Sequence, residues 1–140
     1  PQRIAGHGVI QPTLWESAPG QVHLLARATG RRICRSDSRD GGRTWSPAQP
    51  TDLPHNNSGI DLARLPGGTL VLCCNPIEGT WPDRSPLSLL VSRDNGATWS
   101  RLLDLEDEKG AEFSYPAIVA DAADAVAVSW TWKRRRIAFQ

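Results

Sequence analysis

The sequence predicts an all-β fold built from repeated four-stranded antiparallel units. Three observations carry that prediction. The octapeptide SRDGGRTW at 38–45 returns as SRDNGATW at 92–99, and two copies at a long interval mark a repeated structural unit. Around both copies, short apolar and β-branched runs are cut by Gly, Pro and Asp turns. No segment sustains the apolar period of a helix.

The elements follow in order. VIQPTLW (9–15) and QVHLLAR (21–27) flank the turn ESAPG, and GRRICRSD (30–37) leads into the first octapeptide. In the second unit GIDLARL and TLVLCCN flank PGG, and PLSLLV leads into the second octapeptide. A third unit starts with SYPAIVA and AVAVSWTW, joined through DAAD and followed by RRIAFQ. The acidic LEDEKGAE (105–112) reads as a solvated loop. Each unit is thus two strands around a hairpin turn, a third strand, the octapeptide and a fourth strand. Repeated four-stranded antiparallel units of this size predict blades of a β-propeller. One partial propeller domain over 1–140 is expected, with units at about 8–50, 57–104 and 113–140.

The octapeptide has a mechanical reading. Ser38 and Asp40, like Ser92 and Asp94, can accept hydrogen bonds from backbone N–H groups within a tight turn. Gly42 and Gly96 supply backbone angles that other residues resist. Thr44 and Thr98 add a hydroxyl, and Trp45 and Trp99 bring large rings to pack between sheets.

Composition bounds the function. A net charge of +1 with 22% charged residues singles out neither nucleic acid nor an anionic membrane. The run KRRR at 133–136 lacks the interleaved aromatics of a nucleic-acid surface and reads as a charged hairpin. No apolar run approaches the ~20 residues of a membrane span. The three cysteines, Cys34, Cys73 and Cys74, are odd in number and lack CxxC spacing, so neither a disulfide framework nor a zinc site is expected. Neither a metal nor another cofactor is expected. The chain begins at Pro1 and contains no Met, so residue 1 is expected not to be a natural start, and localisation stays open.

Both octapeptides match S-x-D-x-G-x-T-W, and on these residues the chain resembles the Asp-box proteins of the sialidase (neuraminidase) superfamily. GVIQPTLWES, NNSGIDLARLPGGTL and FSYPAIV with SWTWKRRRI are similar to one branch, the bacterial predicted neuraminidases with BNR repeats. The resemblance covers most of the chain and implies six-bladed propellers longer than this one. About two and a half blades are expected here, half of such a ring, without the Phe-Arg-Ile-Pro-type segment that supplies an active-site arginine in the family. Open blade faces and strand edges imply a fragment, or a homo-oligomer or remaining propeller half as partner.

The resemblance also implies where chemistry would sit: opposite the octapeptides, on the loops joining strands four to one and two to three. That face takes in HGVIQ, RATGRR (27–32), DLPHNNSGID (52–61), NPIEGTWPDRSP (75–86), EDEKGAEFSY (106–115) and WKRRR (132–136). Tyr115, the one tyrosine of the chain, resembles the family's Tyr nucleophile, and Glu112 is placed to supply its acidic partner. Pro116 directly after the tyrosine is a departure from the family pattern. Arg31, Arg84, Arg134, Arg135 and Arg136 are candidates to hold a substrate carboxylate with a bidentate fork. His55, Asn56, Asn57 and Asp61 offer donors and acceptors suited to sugar hydroxyls, although Asn-Asn-Ser-Gly is equally a turn. Asn56-Asn57-Ser58 also fits a glycosylation acceptor. His7 and His55 are loop histidines expected at the surface, His23 is expected to be structural, and Trp81, Trp130 and Trp132 are possible sugar platforms, Trp130 more in keeping with packing between blades.

The function these features predict is a sialidase-like glycoside hydrolase on acidic carbohydrate, with little activity in the chain alone. A uronate-polysaccharide lyase and a non-catalytic carbohydrate-binding propeller are the alternatives.

Overall fold

The computed structural model describes residues 3–6, 8–79 and 83–140. Three antiparallel sheets follow one another along the chain. The first contains β1 (Val9–Ala18), β2 (Gln21–Ala28), β3 (Arg32–Ser38) and β4 (Gln49–Pro54) in that order. The second contains β5 (Asp61–Arg64), β6 (Leu70–Cys74), β7 (Leu87–Ser92) and β8 (Ser100–Glu106). The third contains β9 (Phe113–Ala120), β10 (Val126–Trp132) and β11 (Arg136–Phe139). The described residues hold no helix. The leading strand of each sheet lies toward its neighbours, with β5 set against both β1 and β9. These are propeller blades: each begins at an inner strand and steps outward.

Two apolar layers hold the sheets together. Trp15, Leu25, Ile33 and Leu53 of the first sheet meet Leu62, Leu70, Leu72, Cys74 and Leu90 of the second. Val71, Cys73, Leu87, Leu89 and Val91 use the other face of the second sheet against Phe113, Ile118, Val128 and Trp130. The second sheet is therefore covered on both faces, which is why β6 and β7 are buried without interruption. Cys73 and Cys74 fall on opposite faces, as adjacent strand residues must. Burial pushes the Cys74 thiol up to about 12 and raises those of Cys73 and Cys34. Full burial of each leucine contributes about 1.5–3 kcal/mol. On the outer sheets Leu14, Val119, Ile137 and Phe139 remain exposed.

Both octapeptides close the same turn. Ser38 Oγ donates to Asp40 Oδ1 (2.8 Å) and accepts from Gly42 N (2.9 Å). Asp40 accepts from Thr44 N (2.8 Å) and Thr44 Oγ1 (2.6 Å), and Trp45 Nε1 donates to Gly42 O (3.0 Å). Ser92, Asp94, Gly96, Thr98 and Trp99 repeat the pattern bond for bond. The fourth position differs. Gly41 N donates to Gly20 O within its own sheet, whereas Asn95 reaches the first sheet. Its Oδ1 accepts from Trp15 Nε1 (2.7 Å), and its backbone oxygen accepts from Arg35 Nη1 (2.7 Å).

These turns make stability depend on acidity. Hydrogen bonds from Thr44 and Thr98 hold Asp40 and Asp94 down at about 2, from an ordinary 3.8. The unfolded chain then binds protons that the folded one does not, so stability falls as pH drops from about 4 toward 2. Above the ordinary value the stabilisation is fully present. Urea midpoints measured from pH 5 to pH 2 should fall less steeply for Asp40→Asn and Asp94→Asn. An unchanged slope in the double variant would refute the assignment.

Candidate active site

Tyr115 owes its position to a break in a ladder. Thr131 pairs with Ser114 and Ser129 with Ala117, so Tyr115 and Pro116 together oppose Trp130. Such a bulge re-aims a side chain, and Tyr115 takes the left-handed φ of 52°. Pro116 has no N–H, so it can sit where the ladder is interrupted. The departure Tyr-Pro thus has a local reason. Tyr115 is 46% exposed. Gly59, in the β4–β5 loop, comes so close that a Cβ there would lie 3.2 Å from Tyr115 Cδ1 and 3.3 Å from its Cα. A side chain at 59 would require Tyr115 to give by a few tenths of an ångström.

Three loops bring charge to the same place. Arg84 of the β6–β7 connection and Glu112 of the β8–β9 connection form a bridge beside the start of β9, and Phe113 N donates to Arg84 O (3.0 Å). The Arg84 guanidinium is buried, lies 3.3 Å from Glu112 Oε1, and sits over the Tyr115 ring at 5.3 Å from its centroid. Arg134, in the β10–β11 hairpin, donates from Nε to both Glu112 oxygens at 2.7 Å. Ser114 Oγ adds a bond to Glu112 Oε1. Hydrogen bonding from Arg134 holds the Glu112 carboxyl below its ordinary range against the opposing effect of burial, helped by the charge of Arg84. Arg84, by hydrogen bonding and charge, lowers the Tyr115 phenol, helped by Arg27 and Arg134.

Tyrosinate absorbance can read this shift, because Tyr115 is the one tyrosine of the chain. Its titration should fall below that of free tyrosine and move up in Arg84→Met. Equal titration in the two proteins would remove Arg84 as the cause.

A buried polar layer supports these loops. Asn75 Nδ2 donates to the carbonyls of Arg84 (3.0 Å), Pro86 (2.8 Å) and Phe113 (3.1 Å), and its Oδ1 accepts from Ser58 Oγ (2.6 Å). Asn56 Oδ1 accepts from Ser58 N and lies, like Asn75 Oδ1, 2.6 Å from Ser58 Oγ, so the two oxygens share one hydroxyl proton, and Asn56 Nδ2 donates to Asp83 O. Its amide is therefore committed to the loop, and at 2% exposure it does not meet sugar hydroxyls or a glycosylating enzyme in this state. Asn57 is also buried, at φ 62°, with its backbone oxygen accepting from Arg27 Nη1 (2.9 Å).

His55 departs from the surface position expected of a loop histidine. It is fully buried, its backbone N–H donates to Arg31 O, and its Nδ1 accepts from Asn57 N. Burial, reinforced by the Arg27 charge, lowers it to about 4. It is neutral at pH 7. Asp61 is likewise occupied: Oδ1 accepts from Thr13 Oγ1 (2.9 Å) and Leu62 N (2.9 Å), and Oδ2 from Ile118 N (3.0 Å).

The structure therefore gathers Tyr115, Glu112, Arg84 and Arg134. Arg31 stands exposed at the β2–β3 turn with φ 64°. Arg135 is exposed in the hairpin, and Arg136 lies over Trp132 at 4.9 Å. Lys133 covers the same ring at 4.4 Å and pairs with Glu108. Trp130 is buried in the second apolar layer. His7 and Trp81 lie outside the described residues. Arg27, Ser58 and Asn75 were not singled out from the sequence. Arg27 was within reach as the polar end of an apolar strand entering the RATGRR loop. Asn75, directly after CC and before Pro, reads as an ordinary turn residue. Among the described residues, no group of three His, Cys, Asp or Glu is placed to hold a metal ion. A cleft of about 650 Å³ opens elsewhere, between β4 and the second sheet, lined by Arg35, Leu53, Trp99 and Arg101.

Solved structures share this architecture. A variant of the NanB sialidase of Streptococcus pneumoniae superposes with a TM-score of 0.69 at 18% identity, covering 86% of this chain and 20% of that one. The GH93 α-L-arabinofuranosidase of Fusarium graminearum, in complex with arabinobiose, gives 0.69 at 17% identity, covering 94% and 44%. The leech intramolecular trans-sialidase gives 0.68 at 16% identity, covering 92% and 22%. The chain thus spans less than half the length of each. At these identities the likeness shows the fold, a β-propeller of the sialidase type. No curated protein sequence matches the chain. The model of the BNR repeat-like domain matches residues 1–128, and the chain belongs to that family.

Proposed function

We propose that this chain carries part of a glycoside hydrolase site for acidic sugars, with Tyr115 as nucleophile. The observation that carries the reading is an exposed tyrosine, re-aimed by a bulge, whose phenol Arg84, Arg27 and Arg134 hold below its ordinary pKa. A phenol so placed is readied to attack an anomeric carbon. Arg134 is 63% exposed at its side chain, and its guanidinium can turn from Glu112 to a sugar carboxylate. That movement leaves Glu112 a carboxylate able to take the phenol proton. Arg84 stays beneath both groups. In the covalent step the Tyr115 oxygen bonds to the anomeric carbon as the aglycone oxygen leaves with a proton from solvent; water then attacks that carbon, loses a proton to solvent, and frees the Tyr115 oxygen, which regains its proton from Glu112. The remainder of a propeller, or a second copy of the chain, would cover the exposed face that carries Ile137 and Phe139.

A binding-only propeller is the second reading. It is favoured by the occupation of both Glu112 oxygens by Arg134, with no hydrogen bond from Tyr115 to Glu112 among the described residues.

A difluorinated sialic acid, which loses anomeric fluoride to a nucleophile and hydrolyses slowly, separates these readings. Mass spectrometry should find one glycosyl group on the Tyr115 peptide and none in Tyr115→Phe. Saturable sialoside binding without label or turnover would support the binding propeller. Release of an unsaturated uronate from polysaccharide would replace hydrolysis by lyase chemistry.

A further inference from the structure

The opposite end of the first sheet holds a second chemical constellation, built by strand register. His23 on β2 pairs with Trp15 on β1 and with Asp37 on β3. Directly opposed residues project from the same face with their Cβ atoms about 4.5–5.5 Å apart. Glu16 pairs with Val22 and Ala18 with Gln21, which leaves Ser17 as the extra residue of a bulge. Being two residues from Trp15, it shares that face. Ser17 Oγ lies 2.7 Å from His23 Nε2, and His23 Nδ1 lies 2.5 Å from Asp37 Oδ1. Trp15 stacks on the imidazole with centroids 5.0 Å apart.

The proton positions follow from neighbours with one possible role. An indole N–H only donates, so the 2.7 Å bond from Trp15 Nε1 fixes Asn95 with its oxygen toward Trp15. Asn95 Nδ2 then faces His23 Nε2 at 3.3 Å. An ionised carboxylate only accepts, so the 2.5 Å contact with Asp37 Oδ1 places the imidazole proton on Nδ1 and leaves Nε2 as the acceptor. The Ser17 hydroxyl therefore donates to Nε2. Arg35 also approaches Nδ1, at 3.2 Å, while its Nε donates to the same Asp37 oxygen at 2.9 Å. Hydrogen bonds from His23 and Arg35 outweigh the effect of burial and keep Asp37 ionised.

We propose that Ser17, His23 and Asp37 form a nucleophile–base–carboxylate triad that hydrolyses short-chain carboxylic esters, with Asn95 Nδ2 as the oxyanion donor. The roles match those of a serine hydrolase without sharing any such fold. Ser17 Oγ attacks the ester carbonyl while His23 Nε2 takes its proton. The carbonyl oxygen gains the charge, and Asn95 Nδ2 turns toward it from its long contact with His23. Collapse expels the alkoxide, which receives the proton from His23 and leaves as the alcohol. Water, deprotonated by His23, then releases the carboxylic acid and restores Ser17. Ser17 is half-buried, with exposed Glu16, Ala18 and Pro19 around it, so a short acyl group fits this rim better than a long apolar chain.

The test is active-site phosphonylation of the intact chain by a fluorophosphonate, with peptide mapping, alongside p-nitrophenyl acetate hydrolysis. One phosphonyl group is expected on Ser17 and none in Ser17→Ala, with near-ultraviolet circular dichroism confirming that the variant is folded. Loss of the base should slow labelling at least about 100-fold in His23→Gln. Because the buried His23 variant can lose its fold, Asp37→Asn supplies a second reading, and labelling should slow about 10-fold or more while the half-exposed position keeps the sheet intact. A folded wild-type chain left unlabelled at Ser17 would overturn the proposal. So would ester hydrolysis that persists undiminished in folded Ser17→Ala.

Discussion

Replacing Asn75 with alanine is expected to lower stability by about 3 kcal/mol, since its two amide hydrogens, shared among three buried carbonyls, and its carbonyl oxygen all leave buried partners unmet at about 1 kcal/mol or more each. Asn75 is fully buried. Its amide nitrogen serves the carbonyls of Arg84, Pro86 and Phe113, and its oxygen serves Ser58. Water does not reach these groups in the folded chain, so their loss is not made good. The thermal midpoint should fall by about 10 °C, at roughly 2–4 °C for each kcal/mol in a domain of this size. Asn75→Asp should fall as well, because a carboxylate would point at three carbonyl oxygens. The effect reaches the candidate site, since Asn75 holds the backbone of both Arg84 and Phe113. A loss below about 1 kcal/mol in urea unfolding would mean that this network contributes little.

Asp61→Ala should cost about 3 kcal/mol. One carboxylate there accepts from Thr13 of β1, Leu62 of β5 and Ile118 of β9, and hydrogen bonds to charged groups contribute about 1.5–3 kcal/mol apiece. The estimate stays at the low end because Asp61 is partly exposed, and Leu62 N keeps a bond to Thr13 Oγ1 at 3.1 Å. Amide exchange offers the more specific readout. Ile118 N should exchange faster, whereas amides inside β6 and β7 should lose only the global share of protection. Uniform acceleration across all three sheets would mean that Asp61 acts on overall stability and not on the junction of the inner strands.

The blade pattern was legible because it is local. Octapeptides, turns and alternating runs state their geometry within a few residues of one another, and the β6 run LVLCC announces a strand covered on both sides. Side-chain direction in loops was less legible. HNNSGI has the composition of a solvated turn, yet His55, Asn56, Asn57 and Ser58 are all buried. Asn56 and Ser58 are met by backbone and by Asn75, which no local pattern connects to them, while His55 Nε2 and Asn57 Oδ1 are buried without a hydrogen-bond partner among the described residues. The Ser17, His23 and Asp37 cluster was hidden for another reason. Its members meet only through the register of three strands and one bulge, and a shift of one residue in either pairing would turn them apart.

The octapeptide separates two kinds of information. Ser, Asp, Gly, Thr and Trp are spent inward, closing their own turn, and are the same in both copies. The fourth position is released from that duty, and its left-handed backbone admits Gly at 41 and Asn at 95. In the second copy that freedom is used to grip Trp15 and Arg35 of the preceding sheet. Duplicated blades begin as interchangeable parts, and a single unconstrained position can give one of them an address. Serial order in the array is then inscribed at one of the two sites, the fourth and the sixth, where the repeated phrase varies, so a blade transplanted elsewhere would fold its turn and still fail to recognise its neighbour.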